Sequence, residues 1–165
     1  MGNFCNFEKK GTMKYVFVFL ALAVTVFSCK KDDFDEEAQL QKDIEIIQQY
    51  LTDNGLTAES TSSGLHYIVN NTGNGPQPNA SSNVTVAYVG YFTGGNTFDQ
   101  SSASGATFNL QNVIQGWTEG IPKFKQGGSG TLLIPSKLGY GQNGNSSIPG
   151  NTVILFDIEL LEVSN

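Results

Sequence analysis

The stretch VTVAYVGYF, residues 84–92, limits the fold more than any other part of the chain. Its alternation has the period of a strand, and it puts Val84, Val86, Tyr88, Gly90 and Phe92 on one face. Shorter runs of the same kind lie on either side: LHYIV at 65–69, a return strand beginning Thr97-Phe98-Asp99 after the Gly94-Gly95 turn, residues 107–110, residues 131–134, and TVILFDIELLEV at 152–163. The intervening NNTGNGPQPNASSN reads as loop. Within this region only residues 111–125 offer a helix. Nineteen Gly, eleven Phe and 39% apolar residues in a chain of 165 suit a strand-rich domain with many turns. The expected architecture is α+β, an antiparallel sheet against one short helix, built around one core.

Ahead of the sheet, AQLQKDIEIIQQYLTD at 38–53 spaces Leu40, Ile44, Ile47 and Leu51 by four, three and four, a helical stripe. Asn54-Gly55 should stop it, because Gly accepts the left-handed conformation that ends helices. Four apolar positions are too few for a coiled coil, so the helix is expected to pack on its own domain, with a dimerisation helix as the alternative. A monomer is accordingly expected, with the homodimer kept open. Residues 57–63 (TAESTSS) read as polar linker.

The N-terminus reads as an address. The apolar run YVFVFLALAVTVF, residues 15–27, is short for a membrane span and right for a signal peptide, which makes Met13 a candidate start. The run ends at Val26-Phe27-Ser28-Cys29, which resembles the lipobox of bacterial lipoproteins, with Phe27 a bulky occupant of its position. The resemblance implies a signal peptide at 1–28, lipidation of Cys29 and anchorage on the outer membrane. An ordinary cleaved signal with an incidental Cys, and a single membrane anchor, are the other readings. Cys5 lies upstream of the cleavage point, so the mature chain has no second thiol for a disulfide. The charged tether KKDDFDEE, 30–37, resembles short export signals of surface lipoproteins and reads equally as a solvated linker. The protein would face the periplasm or the cell surface. The expected organisation is therefore a signal at 1–28, a lipidated tether and helix at 29–63, and a folded domain at 64–165.

Several chemistries are excluded. The net charge is −6 and all nine basic residues are Lys, so no basic patch is available to neutralise nucleic-acid phosphates. His66 is the sole histidine, without the partners a metal site or a His-based triad needs. No nucleophile elbow or phosphate-binding loop occurs. No metal and no cofactor are expected. What remains is the only tryptophan, Trp117, in the glycine-rich stretch NVIQGWTEGIPKFKQGG with no Cys, His or Arg nearby.

Five blocks in order, VAYVGYF, TFDQSS, VIQGWTEGI, LLIPSKLGYG and SIPGNTVILFDIELLEV, resemble the signature of the FKBP-type peptidyl-prolyl isomerases, the macrolide-binding immunophilin domain. The likeness runs from Val84 to the end and more loosely back to Leu65. It implies a sheet wrapped around a short helix, with a hydrophobic groove between them. By motif it carries over Tyr88, Phe98, Asp99, Ile114, Trp117, Tyr140 and Phe156 as catalytic-pocket residues and Val113 and Ile148 as substrate-binding. Trp117 would be the floor on which a prolyl ring rests. The Ile114 N–H and the Tyr140 hydroxyl would hold the carbonyls of the bound peptide, and Asp99, kept in place by the Tyr88 hydroxyl, would orient charge without acting as a base. Proline-containing segments of folding extracytoplasmic proteins are the implied substrates, and macrolide inhibitors the implied ligands.

Elementary chemistry fits this implication. The peptide bond resists rotation by about 18–20 kcal/mol because of amide resonance, and X–Pro bonds relax over tens to hundreds of seconds. Water favours the polar planar amide over the twisted one, so an apolar pocket shifts the balance without a covalent step. Phe92, Phe108 and Phe124 are read as core. Ala106 stands where the family often has an aromatic, the loop GQNGNSS (142–147) lacks basic or aromatic residues, Gly150 replaces a frequent proline, and no Arg is present to pair with Asp99. Several Gly residues around Tyr140 suggest a mobile rim. The competing reading is a non-catalytic chaperone or adhesin that uses the same groove only to hold peptides.

Overall fold

Strands β3 (Asn83–Phe92) and β7 (Ile154–Ser164) form the long antiparallel ladder at the centre of the protein. The structure, a computed structural model, describes residues 34–164. The proposed signal segment, Cys29 and the tether up to Asp33 lie outside the described residues. Residues 35–165 form one compact unit.

The remaining strands are β1 (Glu59–Ser60), β2 (His66–Asn71), β4 (Thr97–Gln100), β5 (Ala106–Asn109) and β6 (Ser129–Ile134). They order as β1-β2-β6-β7-β3-β4, with β5 also on β3, and every pairing is antiparallel. The register explains which face is which. Val86, Tyr88, Gly90 and Phe92 lie opposite Leu160, Ile158, Phe156 and Ile154, so the apolar sets of both strands share one face. A bulge between Thr85 and Val86 gives β7 an extra residue at Leu161, which returns Val163 to that face and leaves Glu162 exposed.

That face is covered by α2 (Gln115–Gly120) and the 3-10 turn that follows it, Ile121–Lys123. Trp117, Ile121 and Phe124 complete its core with Val84, Val86, Leu132, Ile134, Ile154, Phe156, Ile158 and Leu160. The helix comes very close. A Cβ on Gly116 would lie 2.6 Å from Ile134 Cγ2 and one on Gly120 2.8 Å from Leu132, so only glycine fits at these two positions one turn apart. The sequence predicts a longer helix across 111–125. The structure shortens it because Pro122 has no N–H for an α-helical bond and the chain tightens to the 3-10 turn there.

The opposite face carries α1 (Glu36–Asp53). Asp35 caps it by accepting from the Glu37 and Ala38 N–H groups at 3.1 and 3.0 Å, and Gly55 leaves it at φ +63°. Ile47 and Leu51 pack with Leu133, Val153 and Leu155 in a second core, flanked by Tyr50, Ile68 and Tyr91. Leu133 and Leu155 are opposite one another in the β6–β7 register and face away from α2, as alternation requires. Polar side chains complete the dock. Asp43, fully buried, accepts from the Ser136 N–H and Oγ at 2.7 and 2.6 Å and from Gln39 Nε2 at 2.7 Å. His66 Nδ1 lies 2.9 Å from the Gly64 carbonyl and its Nε2 lies 3.0 Å from Gln48 Nε2. Because a carbonyl only accepts, the proton belongs on Nδ1, and Nε2 accepts from the amide.

Residues 57–63 differ from the expected linker. Glu59 and Ser60 pair with Tyr67 and His66, Tyr67 donates its hydroxyl to Glu59 at 2.7 Å, and Ser63 donates to the Glu119 carboxylate at 2.8–2.9 Å. The pairing is an exposed edge on both faces, so no apolar alternation marks it in the sequence. Among the described residues no helix is long and apolar enough to cross a membrane.

Ile47 has no exposed surface. Ile47→Ala should therefore cost about 2–5 kcal/mol in urea unfolding of the folded unit, the range for truncating a fully packed side chain. A loss under about 0.5 kcal/mol, the scale of a surface substitution, would mean that α1 is not docked on the sheet.

Candidate active site

The site is built on the α2 face of the sheet, where β3, β4, β5 and β7 converge on the start of α2. Trp117, in the first turn of α2, is 4% exposed and lies among three rings. Tyr88 of β3, Phe108 of β5 and Phe156 of β7 stand at 5.1, 5.3 and 5.2 Å from it, with interplanar angles of 86°, 84° and 81°. Such edge-to-face contacts are favourable ring by ring, and three of them fix the orientation of the indole. The indole Nε1 is buried without an oxygen or nitrogen partner among the described residues.

Above the indole is a cavity of about 400 Å³ lined by Tyr88, Asp99, Phe108, Asn112, Val113, Ile114, Trp117, Tyr140 and Phe156. That volume falls within the range of small-ligand sites, about 300–1,000 Å³. A second depression, about 660 Å³, lies on the other face of the sheet, where Asp157, Glu159, Thr131 and the Ser101–Ala103 segment line it together with Leu56, Val89 and Tyr91.

The polar groups of the aromatic cavity are few. The Tyr88 hydroxyl donates to Asp99 Oδ2 at 2.8 Å, and the Gln100 N–H donates to Asp99 Oδ1 at 2.9 Å, so the carboxylate is held from both oxygens. Ile114 caps α2 in an extended conformation. Its carbonyl accepts from the Trp117 and Thr118 N–H groups at 2.9 and 3.2 Å, whereas its own N–H donates to no group among the described residues. Tyr140 stands at the rim, 36% exposed. Partial burial, then the hydrogen bond to Asp99 and its charge, push the Tyr88 phenol up to about 12. Burial and the Asp99 charge raise Tyr140 as well. Among the described residues no group of His, Cys, Asp or Glu could hold a metal ion.

The structure brings seven of the nine sequence-derived residues to the cavity wall: Tyr88, Asp99, Val113, Ile114, Trp117, Tyr140 and Phe156. Two stand behind it. Phe98 packs edge-to-face on Phe156 at 5.5 Å and tilted on Phe92 at 5.0 Å, over Gly90, where a Cβ would come within 2.7 Å of both the Phe98 and Phe156 rings. Ile148 is 3% exposed in the main core. The Asn145 side chain accepts from the Ser147 and Ile148 N–H groups, both at 2.8 Å, and this turn folds Ile148 inward. Phe108, read as core, packs against the main core and also lines the cavity: it lies opposite Val84 on the inward face of β5, with the Trp117 and Tyr88 rings beside it. Asn112 also lines the cavity, and a polar residue before a helix carries no sequence signal of a groove.

Fold and site together define a protein whose antiparallel sheet and one short helix enclose an aromatic box, shaped for a ring and equipped with donors but no nucleophile. Residues 75–161 match the model of the FKBP-type peptidyl-prolyl cis-trans isomerases. The chain is 44% identical over 120 residues to the FKBP-type peptidyl-prolyl cis-trans isomerase FkpA of Aeromonas hydrophila, covering 70% of this chain and 45% of that protein. The crystal structure of FkpA from Escherichia coli superposes with a TM-score of 0.67 at 35% identity, over 78% of this chain and 64% of that one. A crystal structure of a peptidyl-prolyl cis-trans isomerase from Pseudomonas syringae pv. tomato gives 0.68 at 33% identity, over 81% of this chain and 98% of that one. The chain belongs to the FKBP-type peptidyl-prolyl cis-trans isomerase family. It spans about half the length of the curated relatives it matches.

The raised phenols carry a sign that can be tested. Folding favours their protonated forms, so the contribution of Tyr88 to stability is complete below pH 10.0 and is lost as pH rises through about 12. Phenolate absorbance followed by rapid pH jump should show Asp99→Asn bringing the ionisation of Tyr88 and Tyr140 down towards 10. A titration identical in the two proteins would remove the carboxylate as a cause.

Proposed function

We propose that the chain catalyses cis/trans isomerisation of X–Pro bonds in proteins folding outside the cytoplasm, without a covalent step. The observation that carries this reading is the indole of Trp117 held as a floor by Tyr88, Phe108 and Phe156, beneath a cavity with one free backbone donor. The prolyl ring lies on the indole, and the X–Pro amide enters a space with little water. Rotation removes the nitrogen lone pair from conjugation, so the amide oxygen loses negative charge as it twists. Two consequences follow. An apolar wall costs the planar, more dipolar amide more than the twisted one, and the Asp99 carboxylate disfavours a nearby electron-rich oxygen in the same direction. A donor on the rotating carbonyl would act oppositely, by stabilising the planar form. The Ile114 N–H and the Tyr140 hydroxyl therefore serve by gripping the carbonyls on either side, which holds the ends while the bond turns.

The magnitudes are compatible. A thousandfold acceleration needs only about 4 kcal/mol of differential stabilisation. Net hydrogen bonds of about 0.5–1.5 kcal/mol each, together with desolvation of the amide, are of that order. No proton is transferred and no cofactor is required. Tyr88, Phe108, Trp117, Phe156 and Val113 form the ring-binding box, Phe98 supports Phe156 from behind, and Ile148 supports the rim from the core.

The location is part of the proposal. The apolar run at 15–27 and the lipobox-like Val26-Phe27-Ser28-Cys29 support a lipoprotein held on the outer membrane through Cys29. Two acyl chains would leave the isomerase unit tethered at the surface without crossing it. An alkyne-fatty-acid label should attach in cells to the parent protein and not to Cys29→Ser; equal labelling of both would discard the anchor.

For the activity, residues 30–165 should accelerate isomerisation of short X–Pro peptides. Tyr140→Phe is expected to lower kcat/KM by about two- to tenfold, the scale of one net hydrogen bond, and Trp117→Ala to remove most of it. A folded protein with no acceleration across several X residues would leave peptide holding as the function of the groove.

A further inference from the structure

The Tyr140 hydroxyl is useful only if its position is fixed, yet its surroundings in the chain are pliable. Gly139 precedes it, Gly141 follows at φ +64°, and Gly144 lies beyond at φ +62°. The fixed point is Ser136, at the start of the 3-10 turn Ser136–Leu138 that leaves β6. The Ser136 carbonyl accepts from the Gly139 N–H at 3.0 Å and from the Gly141 N–H at 2.8 Å, so it holds the backbone on both sides of Tyr140. Ser136 is in turn held by Asp43 of α1, through its N–H at 2.7 Å and its Oγ at 2.6 Å.

We infer that Asp43 is a positioning residue for the pocket: through Ser136 it fixes the turn that carries Tyr140, and helix α1 is thereby a working part of the site. Two further observations favour this over simple docking of a helix. First, Asp43 is fully buried with hydrogen bonds from Gln39 and Ser136 and without a cation among its described partners. Burying a carboxylate is costly, and an apolar side chain would dock a helix better. Second, the other link between α1 and the turn, Lys137 to Glu36 at 3.2 Å, joins exposed side chains and contributes little. The turn is also held by Leu138, buried in the main core, and by the Asn151 N–H on the Gly141 carbonyl at 2.9 Å, but the polar hold of α1 on it is concentrated at Asp43.

The inference rests on the isomerase reading, and its test separates the two. Asp43→Ala leaves the buried Ser136 N–H unpaired. It should lower kcat/KM by about two- to tenfold, the scale of losing the single Tyr140 contact, and should have no further effect in a Tyr140→Phe background. Asp43→Asn should recover most of the loss, because its oxygen can face Ser136 while its amide donates to a flipped Gln39. Ile47→Ala loosens α1 without touching this link and should leave kcat/KM unchanged well below its melting range. If Asp43→Ala does not fold, Ser136→Ala, which loses the Oγ bond and keeps the N–H bond, carries the same cycle with a smaller loss. Equal losses in both backgrounds, or a loss in Ile47→Ala as large as in Asp43→Ala, would overturn the inference. Hydrogen exchange reports independently of catalysis. Asp43→Ala should deprotect the Gly139 and Gly141 amides while those of β7 stay slow, and unchanged protection at Gly139 and Gly141 would overturn the inference even if the parent protein proved inactive.

Discussion

Everything at the site depends on how closely α2 lies against the sheet. A helix of six residues has no stability of its own, since helices shorter than about 12–15 residues are marginal in water. Its place is set by packing. Gly116 and Gly120, one turn apart, let the backbone settle on Ile134 and Leu132, and with that face pressed to the sheet Trp117 is brought under the rings of Tyr88, Phe108 and Phe156. A methyl group at either glycine would lift the helix and tilt the floor. The pocket is thus a by-product of a close contact made on its far side.

The sheet supplies the walls by the same logic. Tyr88 and Phe156 come from neighbouring strands two residues out of register, because Gly90 is opposite Phe156 and Tyr88 is opposite Ile158. The empty position at Gly90 is where Phe98 and Phe156 meet. Phe156 is therefore braced from behind by Phe98 and in front by Trp117.

Much of this was legible in the sequence for a physical reason. Long strands of period two, a glycine-rich helix start and the aromatic spacing within each block are local signals, and they located the sheet, α2 and most of the wall. What stayed hidden depends on particular partners, near or far in the chain, that no periodic pattern marks. Glu59 and Ser60 form a strand only because Tyr67 and His66 lie beside them, and nothing in TAESTSS announces it. The place of Ile148 depends on a turn made by Asn145, and that of Phe98 on a gap at Gly90 on the neighbouring strand. Helical spacing puts Asp43 on the buried face of α1, three residues after Leu40 and four before Ile47, but the group that satisfies it there, Ser136, lies 93 residues later, which no periodicity can reveal.

The absence of arginine gives the site its electrostatic character. A guanidinium beside Asp99 would neutralise the carboxylate; here it is met by the Tyr88 hydroxyl and the Gln100 N–H, both neutral donors. The charge is left in place, and the phenols respond to it. Each is pressed towards its protonated form, Tyr88 by burial and direct contact, Tyr140 by burial and the field of the same carboxylate. A phenol is protonated at neutral pH with or without that shift, so both hydroxyls are donors there. On the proposed function, the carboxylate is the group that would oppose the electron-rich planar amide.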